Sequence, residues 1–184
     1  MADVNPFPVP IADRYFEDYP VGLLAEFGSV TVTEPEIIEF ARAFDPQYIH
    51  TDPAAAADGP YRGLIASGWH TAGITMRLIV DNYLSQVASL GGPGADELRW
   101  PLPVRPGDTL WARATVVEAR RSESKPGRGI VRTYCQLHNQ DDAVVFSTTV
   151  TNFLLGRDAA NQCSTCPHPD GQIVPMVGDG QRLR

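Results

Sequence analysis

Three cysteines in 184 residues are too few for the disulfide framework of a small secreted domain, and no stretch approaches the ~20 apolar residues that cross a bilayer. Positive charge is scarce too. Fifteen Lys and Arg stand against 22 Asp and Glu, a formal charge of −7 with a pI near 5.0. Such a surface repels nucleic acid and anionic lipid, and any anionic ligand needs a local basic pocket. The first twenty residues carry Asp3, Asp13, Glu17 and Asp18 among prolines and lack the apolar core of a signal peptide. The expectation is therefore a cytoplasmic protein with neither a nucleic-acid nor a membrane partner. Hydrophobic residues at 43% and charged residues at 20% exclude the composition of disorder. Read as one domain, a chain this long buries roughly 70% of its unfolded surface without a metal or disulfide staple.

Residues 1–20 show no period in Phe7, Ile11, Tyr15 and Phe16 and read as an arm laid over the body, which begins near Val21. Leu23 to Val32 has strand composition. Thr33-Glu34-Pro35-Glu36 is a helix start: Thr33 caps the Glu36 N–H, Glu36 reaches back, and Pro35 lies in the first turn, where its missing donor is harmless. Ile37, Ile38, Ala41 and Phe44 then form one apolar stripe that ends at Asp45. A longer helix follows Gly68, with Trp69, Ala72, Gly73, Met76, Ile79, Val80, Tyr83 and Leu84 at spacings of three and four. Its only charges are Arg77 and Asp81, so it is expected to be wrapped.

Four strands supply the wrapping, over Asp96–Val104, Thr109–Ala119, Ile130–Leu137 and Ala143–Leu154, separated by Pro-Gly-Asp, Pro-Gly and Gln-Asp-Asp turns. This order predicts an α+β domain over residues 21–155, an antiparallel sheet curled around a long central helix in the hot-dog arrangement. Residues 156–184 read as an irregular tail. A single such sheet leaves an open edge and one side of its helix uncovered, which predicts a homodimer or higher homo-oligomer.

Chemistry concentrates in two short segments. Asp45-Pro46-Gln47-Tyr48-Ile49-His50 puts a carboxylate and an imidazole at the ends of one turn, and Gly63-Leu64-Ile65-Ala66-Ser67-Gly68 runs into the central helix with a row of backbone N–H groups. A base, a partner acid and oriented N–H donors suffice to move a proton beside a carbonyl and hold the resulting oxyanion. Gly68 opens a helix without a side chain, so its N–H can approach an oxygen with the positive end of the dipole behind it.

Phe44 to Pro53, Gly63 to Thr71, and Leu98 to Asp108 together resemble three blocks of the MaoC-like acyl dehydratases, or R-specific enoyl-CoA hydratases, in the same order. The resemblance spans roughly residues 20–155. It implies a hydro-lyase that hydrates a 2-enoyl thioester or dehydrates a 3-hydroxyacyl thioester. Asp45 and His50 fall on the catalytic Asp and His of the family's Asp-x-Asn-Pro-x-His motif, with Gln47 and Tyr48 in place of the Asn and Pro. Gly68 matches the glycine whose N–H meets the thioester oxygen. Gly63, Ile65, Ala66, Ser67 and Trp69 become the expected substrate-binding residues. Met76 stands where some members carry a small hydroxyl residue. No cofactor is implied beyond the coenzyme A of an acyl-CoA substrate, or the arm of an acyl-carrier thioester.

Other residues have plainer readings. Ser67 reads as a helix cap, Asp52 as the cap of Pro53–Ala57, His70 as a packed residue, and His138 as solvated at a strand end. Cys163 and Cys166 have C-x-x-C spacing without a second pair, so no metal site is expected. For the coenzyme phosphates, either the basic hairpin of Arg120, Arg121, Lys125 and Arg128 or Arg62 remains a candidate anchor. Two competing functions stay open. A thioesterase of the same fold wants an acid on the long helix, where only Asp81 is available, and a non-catalytic thioester-binding module would not need both Asp45 and His50.

Overall fold

A computed structural model describes residues 4–160 of the chain. Five antiparallel strands form one sheet in the order β1-β3-β4-β5-β2, with β1 at Leu24–Thr31, β2 at Gly94–Arg99, β3 at Thr109–Arg121, β4 at Arg128–His138 and β5 at Val144–Leu155. Helix α1 covers Glu34–Phe44, two short helices follow at Tyr48–Thr51 (α2) and Pro53–Ala57 (α3), and α4 covers Gly68–Asn82, with a last turn, α5, at Arg157–Ala160. The sheet curls around α4, as the hot-dog arrangement requires.

Local chemistry explains the helix that delivers the first site residue. Thr33 Oγ1 accepts from the Glu36 N–H and Glu36 Oε2 accepts from the Thr33 N–H at 2.8 Å, a closed capping box with Pro35 in the first turn. Ile37 and Ala41 are buried, and Asp45 ends the helix as its C-cap. Phe44, expected in the same buried stripe, is 74% exposed. It is the last residue of α1, and its ring contact is with Phe40 on its own helix.

The central helix turns only part of the expected stripe inward, and Ile79 and Tyr83 share the core with residues outside it. Thr71, Thr75, Leu78 and Ile79 are buried, whereas Trp69, Met76 and Val80 are exposed. The threonine hydroxyls donate to carbonyls one turn back, Thr71 to Ser67 and Thr75 to Thr71, so they enter the core with their polar atoms satisfied. Short side chains let the strands come close. Opposite them, Gly28 of β1 meets Leu78 so tightly that an added Cβ would lie 2.6 Å from Leu78 Cδ2.

Inward residues Leu110, Val116, Val131, Leu137 and Leu154 complete the core. The expected strand over Asp96–Val104 is shorter, since β2 ends at Arg99 and the next residues leave the sheet. The N-terminal segment is more deeply engaged than a surface arm: Phe7 and Tyr19 are buried with Tyr83 in an edge-to-face cluster. His138, expected in solvent, is 3% exposed and stacks on Trp111 at 4.3 Å. The two are register partners across β3 and β4, which lets the flat ring cover the indole.

Candidate active site

A cleft of about 560 Å³ opens where the α1–α2 turn, the chain leading into α4 and the segment after β2 meet. Asp45 arrives from the end of α1 and His50 from the one-turn helix α2. His50 is buried, and its Nδ1 lies 2.8 Å from the Ile65 carbonyl oxygen. A carbonyl only accepts, so Nδ1 carries a proton, and a neutral ring presents its lone pair at Nε2. That Nε2 sits 3.4 Å from Asp45 Oδ2. With the ring neutral, the two acceptors require a shared donor, such as a water or a substrate hydroxyl.

Asp45 is held ionised by its neighbours. Ser67 Oγ donates to Oδ2 and Gln47 Nε2 donates to Oδ1, both at 2.7 Å. The Ser67 hydrogen bond, then that of Gln47, holds the carboxyl below its ordinary pKa against the opposing effect of burial, and His50 adds a smaller pull in the same direction when its ring is protonated. Ser67 is also the N-cap of α4, accepting from the Trp69 N–H at 3.3 Å. One hydroxyl thus serves both helix and carboxylate, a bond to Asp45 that neither its reading as a cap nor its expected contact with substrate contained.

The expected row of N–H donors is mostly occupied. Ile65 donates to the Ile49 carbonyl, Ala66 to Val104, Gly63 to Ala56, and Trp69 to the Ser67 hydroxyl. These bonds thread the loop between α2 and the cleft wall. Gly68 is the first residue of α4, where no carbonyl one turn back exists to accept its N–H. Its carbonyl accepts from Trp100 Nε1 at 2.9 Å, and an added Cβ at Gly68 would lie 2.9 Å from the same indole.

Asp45, His50, Ile65, Ala66, Gly68 and Trp69 all line the cleft, while Ser67 stands behind Asp45 and Gly63 lies outside the lining. Sequence reasoning did not assign Thr71, Tyr61, Trp100 or the Pro101–Val104 wall, all of which also line it. Thr71 stands one turn into α4 and lines the cleft, whereas Met76 points outward, so a small hydroxyl residue absent at Met76 is present five residues earlier on the inward face. His70 faces away and stacks on Phe40 at 4.7 Å, its pKa lowered by burial. Among the described residues, no group of three or more His, Cys, Asp and Glu is placed to hold a metal ion. Cys163 and Cys166 lie outside the described residues. No helix among them is long and apolar enough to cross a membrane.

Residues 24–135 match the family model of the MaoC like domain. The chain belongs to the MaoC-like family. The solved MaoC-like dehydratase of Rhodospirillum rubrum is 40% identical, with a TM-score of 0.73 over 78% of this chain and 98% of that one. Uncharacterized protein YdeM of Bacillus subtilis is 30% identical over 131 residues, 71% of this chain and 91% of its own length. The 3-hydroxyacyl-thioester dehydratase Z of Mycobacterium tuberculosis is 37% identical over 90 residues, 48% of this chain and 60% of that protein. Dehydratases are thus among the similar MaoC-like proteins, at 37–40% identity.

Proposed function

We propose that this MaoC-like protein reversibly adds water to a 2-enoyl thioester, or removes it from the 3-hydroxyacyl form. The observation that carries this reading is the Ile65 carbonyl, which fixes the proton on His50 Nδ1 and leaves Nε2 beside the Asp45 carboxylate in the cleft that Gly68 enters. In hydration, a water held by both acceptors bonds through its oxygen to C3 and gives one proton to His50. The C2=C3 electron pair moves onto the thioester oxygen, where the Gly68 N–H and the positive end of α4 stabilise it. C2 then takes a proton from the His50–Asp45 pair and the enolate collapses to the carbonyl. Water is consumed and the enzyme is unchanged. The apolar wall from Pro101 to Val104 suits an acyl chain.

The enclosed face of α4 is covered by the sheet, while Trp69, Met76 and Val80 form an exposed stripe with Gly73 between them, and β2 leaves one sheet edge open. A second copy of the chain over that stripe completes the proposed enzyme, since Trp69 belongs to both stripe and cleft. The test is direct. Purified protein mixed with crotonyl-CoA should consume the 2-enoyl absorbance and yield the 3-hydroxyacyl thioester. Release of free thiol instead would replace the lyase reading with hydrolysis, and neither reaction at ordinary enzyme concentration would leave only a binding module.

A further inference from the structure

Two hydrogen bonds tie the chain entering α4 to the facing wall of the cleft. At one end the Ala66 N–H donates to the Val104 carbonyl at 2.8 Å, and at the other Trp100 Nε1 donates to the Gly68 carbonyl at 2.9 Å. The first joins backbone to backbone. The second needs a side chain with a ring N–H, which an indole supplies and a phenyl ring does not.

The strand that leads to Trp100 is shaped to deliver that indole. β2 breaks register between Asp96 and Arg99, and Glu97 takes a left-handed φ of +56°. Such an irregularity turns a strand and re-aims the side chains after it. Pro101 follows, which restricts Trp100 to extended backbone. The indole meets Trp69 edge to face at 5.8 Å and the buried Phe146 at 5.7 Å. It also fills the space beside Gly68, where an added Cβ would lie 2.9 Å from Cε2 and 3.0 Å from Nε1.

The peptide unit that joins Gly68 to Trp69 is therefore held at both ends, its N–H by Ser67 Oγ at 3.3 Å and its carbonyl by Trp100 Nε1 at 2.9 Å. Glycine has the freest backbone of any residue, so the direction of the Gly68 N–H depends on such external holds. Resting on the hydration reading above, we propose that Trp100 is a positioning residue that fixes the Gly68 N–H where charge gathers on the thioester oxygen. A donor of this kind works because it is in place before the charge forms, and a misplacement of about 1 Å costs about a hundredfold in rate.

Two variants separate the N–H from the bulk of the ring. Trp100→Phe keeps a six-membered ring in the wall and removes the donor. Trp100→His removes bulk but keeps a donor, since imidazole Nε2 and indole Nε1 occupy the same position in a five-membered ring, and at about pH 8 the imidazole is neutral. With crotonyl-CoA, Trp100→Phe is expected to lower kcat about tenfold with KM nearly unchanged, because the Gly68 N–H acts in the transition state. Trp100→His should recover most of that loss. The direct readout is the infrared carbonyl stretch of bound butyryl-CoA, isotope-labelled at the carbonyl carbon, a saturated thioester that cannot be hydrated. Binding to wild type and to Trp100→His should lower the stretch, and binding to Trp100→Phe should lower it less. An equal stretch in wild type and Trp100→Phe, a rise in KM that accounts for the whole loss of kcat/KM, or a greater loss in Trp100→His than in Trp100→Phe would overturn the positioning role. Trp100 is 40% exposed, so both variants are expected to fold, which circular dichroism checks. If wild type does not hydrate crotonyl-CoA, the hydration reading fails while the stretch of the bound butyryl thioester still decides whether Trp100 positions a carbonyl-polarising donor.

Discussion

The two ends of α4 are finished in opposite ways. At the C-terminal end, Arg14 Nη1 donates to the carbonyls of Asn82 and Tyr83 at 2.9 and 3.1 Å, and the Tyr19 hydroxyl adds a third bond to Tyr83 at 2.8 Å. The Tyr83 hydroxyl pairs with Thr133, and the Arg14 guanidinium lies 3.6 Å over the Phe7 ring. Every helix leaves terminal carbonyls in need of donors, and here a buried arginine and a tyrosine from the N-terminal segment supply them. The N-terminal end is treated differently. Ser67 satisfies the Trp69 N–H, Trp100 covers the Gly68 carbonyl, and Gly68, whose N–H has no carbonyl one turn back, lines the cleft. One end of the helix has its terminal carbonyls satisfied, and the other begins at the wall of the cleft.

The largest expected effect tests the end at the cleft. His50→Ala and Asp45→Asn should each lower turnover of crotonyl-CoA by about 10²–10⁴ with the fold retained, the melting temperature falling more for His50→Ala, which orphans the buried Ile65 carbonyl, than for Asp45→Asn, read from steady-state kinetics and calorimetry side by side. Wild-type rates in both variants would remove the distinction between the ends. Next comes the end with its carbonyls satisfied. Tyr83→Ala should destabilise the fold by about 3–5 kcal/mol, and Arg14→Ala by about 2–3 kcal/mol by orphaning two carbonyls. Denaturant titration measures the loss, and turnover well below the melting point should stay near wild type. A large kinetic defect with unchanged stability would invert the comparison.

Ser67→Ala is the smallest change and the one that links site to helix. Loss of the cap should cost about 1 kcal/mol. The hydroxyl is also the leading cause of the depressed Asp45 pKa, so its removal should raise that pKa toward the ordinary carboxylate value. Because folding favours the ionised carboxylate, Asp45 contributes its stability in full above that ordinary value and loses it as pH falls through the depressed folded value. In the variant this contribution shrinks, and the acid limb of kcat/KM moves to higher pH. Carboxyl NMR titration of Asp45 in both proteins checks the shift, and an unmoved titration would show that Ser67 acts on the helix alone.

Much of this architecture was legible in the chain because it depends on near neighbours. The Thr33 and Glu36 box, the Asp52 cap on Ala54 and Ala55, and the five strands with their turns are set by residues a few positions apart. Asp45, His50 and Gly68 were legible as a constellation because they occupy short segments at fixed spacing. The wrapped face of α4 was not. Apolar residues lie on both sides of that helix, and the choice of Thr71 and Thr75 as the inward pair depends on how closely β1 and β3 approach. His138 was misplaced for the same reason, since its cover is Trp111, 27 positions earlier and adjacent only across two strands.

Local periodicity and capping by themselves determined the elements, their order and the short segment holding the acid and the base. Only the tertiary structure decided which nitrogen of His50 is free, which N–H groups remain unspent and which carboxylates the arginines pair with. Each of those depends on partners far away in sequence, Ile65 for His50, Val104 for Ala66 and Glu17 for Arg121. Hydrogen-bond capacity is finite, and the fold decides how each group's share is used.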